Sequence, residues 1–416
     1  MTTVRILVAP AGSRFSAESG SEDGWLYDIV TGVAYAKPDF EFTCITGKSD
    51  GHVPERVTVV TLGGWPADEL GGIALPLRVA RAAGKSVVSG QFDLVHHGLP
   101  FASGRSFSIV GVKAVRHGVP LVVGPVQTPL EWTGPDERGG RLTALDASRL
   151  RAGGAALARA AWPLLAPGIG RLSAGTLRRA SRVVAMSPAA RELAIAAGAR
   201  RERVDVIPPS VRLPPGGQPT WPRPDTALRL LTAGYLIERK GTLEIVTTVA
   251  GLAAAGERVT LDIAGDGPAM ARIREVATQL PGGGAIRLHG WLDRHQLADL
   301  YASAHVYVSM SRAESWGHTV ADALGAGLVV VTSTNVGARA MADMGAPLRL
   351  LPTRGRQQLS DELRQLCRSD LAELQREGET GARWAAATLG VPVIARRWAR
   401  IYQEAVAVRD SERNPG

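Results

Sequence analysis

The stretch Val306-Tyr-Val-Ser-Met-Ser-Arg-Ala-Glu-Ser-Trp-Gly-His-Thr-Val-Ala-Asp-Ala-Leu-Gly-Ala-Gly327 decides the fold. Val306 to Ser309 reads as a short buried strand, a loop carrying Glu314 follows, and Gly317 opens a helix that closes at Gly325 to Gly327. A strand that feeds a helix through a tight loop is the repeating unit of an open parallel sheet, and such sheets bind ligands off the carboxyl ends of their strands. Gly317, His318 and Thr319 then present unpaired N–H groups and the positive end of the helix dipole, which suits a diphosphate. Glu314 and Asp322 lie eight residues apart on the same rim, where two acceptors suit two sets of hydroxyls, one on a sugar and one on a ribose.

Outward from this block the same unit recurs. Arg229–Thr232, Thr260–Ala264, Ala285–Leu288, Leu328–Thr332 and Leu348–Leu351 are apolar runs of strand length separated by helical segments. The N-terminal half repeats the alternation at Val4–Ala9, Phe42–Thr46, Val57–Leu62, Phe92–His96, Pro120–Val123, Arg182–Met186 and Val204–Ile207. Between the halves, Leu213-Pro-Pro-Gly-Gly-Gln-Pro-Thr-Trp-Pro-Arg-Pro224 resists both helix and central strand because its prolines lack backbone donors. The expected organisation is an N-terminal domain over 1–213, a linker over 214–226 and a C-terminal domain over 227–391, then a helix and tail over 392–416. That last helix, Pro392–Arg409, carries Ile394, Trp398, Ile401, Tyr402 and Val406 at helical spacing; its apolar face packs on the C-domain or crosses back to the N-domain.

The bulk numbers agree with two soluble domains: 416 residues, 45% hydrophobic, 48 Gly and 26 Pro. Cys44 and Cys367 are far apart and without metal-ligand spacing, so neither a disulfide framework nor a zinc site is expected. The N-terminus enters a strand-like run without a signal-peptide pattern, and Arg159, Pro163 and Pro167 break the one long apolar stretch, so a cytoplasmic location is expected. The net charge of +9 is concentrated: residues 141–212 hold 13 Arg and no Lys against four acids, which accounts for the whole excess. Such a segment suits peripheral contact with the inner face of an anionic membrane, or an anionic acceptor, or is a solvated helical face. Nucleic acid is not an expected partner, since no recognition motif or stacking aromatic pattern accompanies the charge. There is no nucleophile elbow, Walker loop, Cys/His cluster or D-x-D motif, and no metal is expected to be required.

The block around Glu314 resembles the E-x7-E signature of glycosyltransferase family 4, retaining enzymes of the GT-B fold. Gly234-Tyr-Leu-Ile-Glu-Arg-Lys-Gly241 resembles that family's G-R-L-x(n)-K-G turn, and Ile263-Ala-Gly-Asp-Gly-Pro268 its G-D-G-P turn. Leu288-His-Gly-Trp-Leu292 and Asn335-Val-Gly337 stand where members shape the nucleotide pocket. The resemblance implies an α/β GT-B fold of two Rossmann-like doubly wound parallel-sheet domains facing a central cleft. It implies a metal-independent hexosyltransferase that moves a sugar, with retention, from a UDP- or GDP-type donor acting as co-substrate, with no further cofactor. The implied acceptors are a glycolipid, a polysaccharide, a thiol precursor or a natural product. A nucleotide-sugar 2-epimerase on the same fold, or a non-catalytic partner that binds nucleotide or glycan, are the alternatives.

By the same resemblance Lys240 neutralises the leaving diphosphate, Glu314 holds hydroxyls of the transferred sugar, Asp322 takes the ribose hydroxyls, and Gly290 to Leu292 lie along the base. Gly265, Trp316, Gly317, His318 and Thr319 complete the expected donor set. Two positions depart from the pattern. Tyr235 stands where the family has Arg, with Arg239 as the candidate replacement, and Asp322 stands where Glu is usual. In the N-terminal half, Gly12 to Trp25 resembles the glycine-serine loop of a family subset, so backbone from Gly20 and Ser21 to Glu22 is expected near the donor phosphates. Phe92-Asp-Leu-Val-His-His97 and Val119-Pro-Leu-Val-Val-Gly-Pro-Val126 resemble two further blocks of that subset, which makes Glu22, His97, Gln127 and Thr128 acceptor-side candidates. Adjacent side chains on a strand point to opposite faces, so at most one of His96 and His97 faces a substrate.

Overall fold

A computed structural model describes residues 3–12, 14–17, 21–63, 71–98, 108–128, 171–213, 221, 227–353 and 355–413. The chain forms two compact units, one of Met1–Ser210 with Val391–Gly416 and one of Val211–Gly390.

The first unit is built on a seven-stranded sheet in the order β5-β3-β1-β6-β7-β8-β9, with every neighbouring pair parallel. Its strands are β1 (Val4–Val8), β3 (Phe40–Thr46), β5 (Val57–Thr61), β6 (Leu94–His97), β7 (Leu121–Val126), β8 (Arg182–Ala185) and β9 (Val204–Val206). Two-residue strands β2 (Arg14–Phe15) and β4 (Lys48–Ser49) pair beside it, too short to leave a sequence pattern. Both faces of the sheet are covered, which is why its strands read as unbroken apolar runs. Ile6, Val8, Phe42 and Val184 face helices α1 (Ser21–Ala36) and α13 (Val391–Arg413), whereas Leu7, Val95, Val123 and Ala185 face the opposite layer. That second layer holds α2 (Gly71–Val88), α3 (Ile109–Arg116), α4 (171–179) and α5 (Pro188–Ala196). The last helix therefore belongs to the first unit: Ile394, Trp398, Ile401 and Tyr402 are each at most 1% exposed in its core.

The second unit has six parallel strands in the order β12-β11-β10-β13-β14-β15. These are β10 (Leu228–Ala233), β11 (Val259–Ala264), β12 (Ile286–Gly290), β13 (Val306–Ser309), β14 (Val329–Ser333) and β15 (Leu348–Leu351). Helices α6 (Thr242–Ala254), α7 (Met270–Gln279) and α11 (Arg356–Cys367) cover one face; α9 (His318–Gly325), α10 (Val336–Asp343) and α12 (Leu371–Leu389) cover the other, with α8 (Arg294–Ser303). Chain order reverses between β10 and β13, the switch point at which adjoining loops diverge and leave room for a ligand. Of the linker, Trp221 is described. Its Nε1–H donates to the Gly327 carbonyl at 3.1 Å, which ties it to the second unit; the rest of 214–226 lies outside the described residues. Among the described residues no helix is long and apolar enough to cross a membrane.

Candidate functional site

The switch point fixes which loops meet. β10 runs into Gly234–Gly241, and β13, its neighbour, runs into Met310–Gly317. Lys240 ends a 3-10 turn over Glu238–Lys240, and Gly241 follows in a left-handed conformation at φ 70°, seated so closely on Met310 that a methyl group would overlap the Met310 carbonyl oxygen. Glycine is required there on both counts, and the close approach brings the two loops into register. The Arg312 amide donates to the Arg239 carbonyl at 2.9 Å.

That register joins the two residues expected to do chemistry. Lys240 Nζ donates to Glu314 Oε1 at 2.5 Å, both side chains being mostly covered, and Arg239 Nη1 lies 3.9 Å from the same oxygen. The Arg239 guanidinium also donates to the Ala313 carbonyl and reaches the Ser311 hydroxyl at 3.4 Å. Arg239 is thus both a second cation beside Glu314 and a clamp on the loop that carries it.

A third set of contacts holds the loop from behind. Ser333 Oγ donates to the Ser311 carbonyl at 2.6 Å, and Asn335 Nδ2 donates to the same carbonyl at 3.2 Å while Asn335 Oδ1 caps α10 by accepting from the Ala338 amide. The Gly337 amide donates to the Glu314 carbonyl at 3.1 Å, and a side chain at 337 would collide with the Trp316 carbonyl. Asn335 and Gly337 were expected near the pocket by resemblance only. Ser333 gave no sequence signal, because a serine at a strand end reads as a strand residue.

Helix α9 starts at His318 with Gly317 as its N-cap and no capping side chain, so its first N–H groups have no intrahelical acceptor. His318, half-covered at this start, has its imidazole pushed down to about 4 by burial; the Lys240 charge adds to the effect and Glu314 opposes it. It is neutral at pH 7. Thr319 lies against two buried phenols: Tyr301 donates to its carbonyl at 3.2 Å, and its hydroxyl meets Tyr307, whose own hydroxyl donates to the Ala233 carbonyl at 3.1 Å. Asp322 is near enough to both phenols to help raise their pKa. Trp316 is a core residue, 2% exposed, so its side chain fills the unit rather than the loop surface.

On the other side of β10, the Gly265 amide donates to the Gly290 carbonyl at 2.7 Å, which brings the turns after β11 and β12 together. His289 meets Asp262 at 2.7 Å beneath them, a pair that no motif announced. Leu292 is half-buried, while Trp291 and Tyr235 are exposed at 73% and 55%. The second unit therefore gathers Arg239, Lys240, Glu314, Gly317, His318 and Thr319 at one strand end, with Asp322 on the helix behind and Gly265, Gly290 and Leu292 flanking.

The first unit has its own switch point, between β1 and β6. His97 at the end of β6 is 3% exposed and held down to about 4 by burial, and Thr128 is equally covered, while Gln127 is half-exposed. His96 is structural: its Nε2 faces the Gly124 carbonyl at 3.1 Å, so that nitrogen carries the proton and Nδ1 accepts from Tyr402 Oη at 3.0 Å. Ser21 and Glu22 open α1, and Gly20 lies outside the described residues. Of the Arg-rich segment, 141–170 also lie outside them. Among the described residues no group of three or more His, Cys, Asp or Glu is placed to hold a metal ion.

Two family models match, "Glycosyl transferase 4-like domain" over residues 17–210 and "Glycosyl transferases group 1" over 218–384. A GDP-mannose-dependent alpha-(1-6)-phosphatidylinositol dimannoside mannosyltransferase, found in two strains of Mycobacterium tuberculosis, is 35% identical over 114 residues. That match covers 27% of this chain and 29% of the relative's length. Among solved structures, HepE of Anabaena in complex with UDP-glucose has a TM-score of 0.62 at 17% identity, over 97% of this chain and all of the other. Sucrose-phosphate synthase from Thermosynechococcus elongatus has a TM-score of 0.68 at 16% identity, over 98% of this chain and 100% of the other.

Proposed function

From a chain that belongs to the glycosyltransferases of group 1, family 4 type, with their α/β GT-B fold, we propose a transferase that moves a hexose from a nucleotide diphosphate donor with retention of configuration. The observation that carries it is the Lys240–Glu314 pair at 2.5 Å beside the uncapped start of α9. Breaking a glycosyl phosphate bond builds negative charge on phosphate oxygens. Lys240, Arg239 and the α9 N-terminus supply the opposing positive charge in fixed positions, the arrangement that favours a charged transition state most. Glu314, released from Lys240 as phosphate takes its place, becomes free to accept from sugar hydroxyls. Asp322, with the longer Glu absent, is assigned to the ribose.

Retention fits a reaction in which the leaving phosphate receives the acceptor's proton, so that no protein nucleophile is needed. The charge just described also makes metal and organic cofactor unnecessary in this proposal, and transfer should persist undiminished in excess EDTA. The donor is of UDP or GDP type: HepE is known with UDP-glucose, and the mycobacterial relative is named for GDP-mannose. A glycolipid acceptor draws support from that relative's name, ahead of a polysaccharide, thiol precursor or natural product.

The test is a thermal-shift screen across UDP-, GDP- and ADP-sugars followed by a transfer assay with the donor that stabilises most. Lys240→Ala and Glu314→Gln should each lower kcat at least 100-fold, the usual loss when one fixed electrostatic stabiliser is removed. Near-wild-type turnover in both variants would sink the proposal. Nucleotide binding without transfer to any acceptor would instead favour a non-catalytic partner, and epimer formation without acceptor would favour a 2-epimerase.

A further inference from the structure

The layer of helices on one face of the first unit's sheet has an outer surface that neither the core nor the donor site explains. Across α2, α3 and α4 there are eight cations and no carboxylate. In α2 the outward stripe is Leu77, Arg81, Lys85 and Val88, spaced four, four and three residues apart and all exposed. Buried Val79, Ala83 and Val87 form the opposite face against the sheet. Lys113 of α3 lies over Gly84 of α2, and Arg116 ends α3 in solvent, so the two helices present one continuous basic surface. Farther along the same layer α4 repeats the composition: Arg171, Leu172, Arg178 and Arg179 face outward while Ser173, Thr176 and Leu177 face in.

Leu77 and Leu172 are 58% and 52% exposed and Val88 is 47% exposed, among cations that are themselves exposed. A soluble polyanion engages cations alone and gains nothing from these apolar side chains. An anionic bilayer surface takes both, because headgroup charge and the acyl boundary lie within a few ångströms of each other. The charge is also one-sided. Helix α5, next in the layer, is the first of them to carry a carboxylate, Glu192, which pairs with Arg191 at 2.8 Å and with Arg201 beyond the helix end at 3.0 Å.

We propose that the outer face of α2, α3 and α4 is a docking surface for an anionic lipid bilayer. The expectation drawn from residues 141–212 is thereby relocated: much of the surface comes from α2 and α3, which lie outside that segment in sequence. The inference does not depend on the donor chemistry, and its test reads no enzymatic activity.

The full-length protein is sedimented with vesicles of phosphatidylcholine alone and of phosphatidylcholine with 30% phosphatidylglycerol (about one lipid in three, enough for a strong surface potential). Binding is expected to the anionic vesicles only and to fall steeply with salt. Arg81→Glu with Lys85→Glu should weaken partitioning at least 10-fold, while Arg272→Glu, an exposed cation of the second unit, should leave it unchanged. Leu77→Ser with Leu172→Ser should weaken it about threefold or more through lost apolar insertion. Near-ultraviolet circular dichroism of each variant should match wild type, since every substituted side chain is exposed. Absence of binding to anionic vesicles overturns the proposal. So does equal weakening by Arg272→Glu, which would mean net charge alone, and so does unchanged binding of the leucine variant, which would mean a purely ionic partner.

Discussion

At the scale of single residues, the candidate site depends on how few side chains bind two loops into one surface. Arg239 was expected only as a replacement for the arginine that Tyr235 displaces. Its guanidinium is committed to the Ala313 carbonyl and the Ser311 hydroxyl, which makes it a positioning residue for Glu314 as well as a cation. Arg239→Lys keeps the charge but loses the fork that reaches both partners. It should raise donor KM severalfold with a smaller change in kcat, whereas a purely electrostatic role would be rescued by lysine; steady-state kinetics with varied donor decides. A second expectation concerns His96 and His97, whose folded pKa values lie near 3 and 4, below the free-histidine value, because burial penalises the charged form. As pH falls from about 6.5 the unfolded chain takes up protons that the folded chain refuses, so their stabilising contribution is lost on acidification and is intact above that range. The slope is about 1.4 kcal/mol per pH unit for each group. Thermal melts between pH 7 and 5, above the main carboxylate range, should show a declining Tm, and His97→Asn should flatten the decline.

At the scale of elements, loop ends carry the precision and helices carry the support. Helix α10 is an example, since Asn335 caps it and in the same gesture holds the Ser311 carbonyl. Asn335→Ala should cost about 1–2 kcal/mol of stability as a lost N-cap. It should also weaken donor binding more than Asp293→Ala, which removes the capping box of α8 without touching the Glu314 loop. Melting curves and donor titrations on the two variants separate the effects, and equal donor affinity in both would show that α10 does not position the loop. The strands were legible because parallel sheets covered on both faces need apolar residues at every position. Their ends shifted by one to three residues between pattern and structure, as at β7, expected over Pro120–Val123 and formed over Leu121–Val126. The pair β2 and β4 was invisible, being two residues long and held by contacts distant in sequence.

At the scale of the whole molecule, the first unit is closed by a helix that arrives from the far end of the chain. Trp398 and Tyr402 are fully buried beside Trp25, Phe40, Phe42 and His96, with Trp25 and Trp398 rings 6.2 Å apart. Trp398→Ala should destabilise that unit by about 3–5 kcal/mol, the cost of a large buried aromatic and its cavity. A two-step melt in which only one transition moves is the expected record, and a shift of both would mean the helix stabilises the second unit as well. The amino-acid sequence by itself determined the two α/β units, the positions of their long strands and the α9 start, because periodicity and turn chemistry are local properties, and motif resemblance singled out Lys240 and Glu314 as candidates. Tertiary structure alone decided which face of α13 found which core, that Arg239, Ser333 and Asn335 lock the Glu314 loop, and that α2 and α3 present one basic surface in the layer that also holds α4. Those are contacts between residues dozens to hundreds of positions apart, and no local pattern encodes which distant partner completes a hydrogen bond or covers an apolar face.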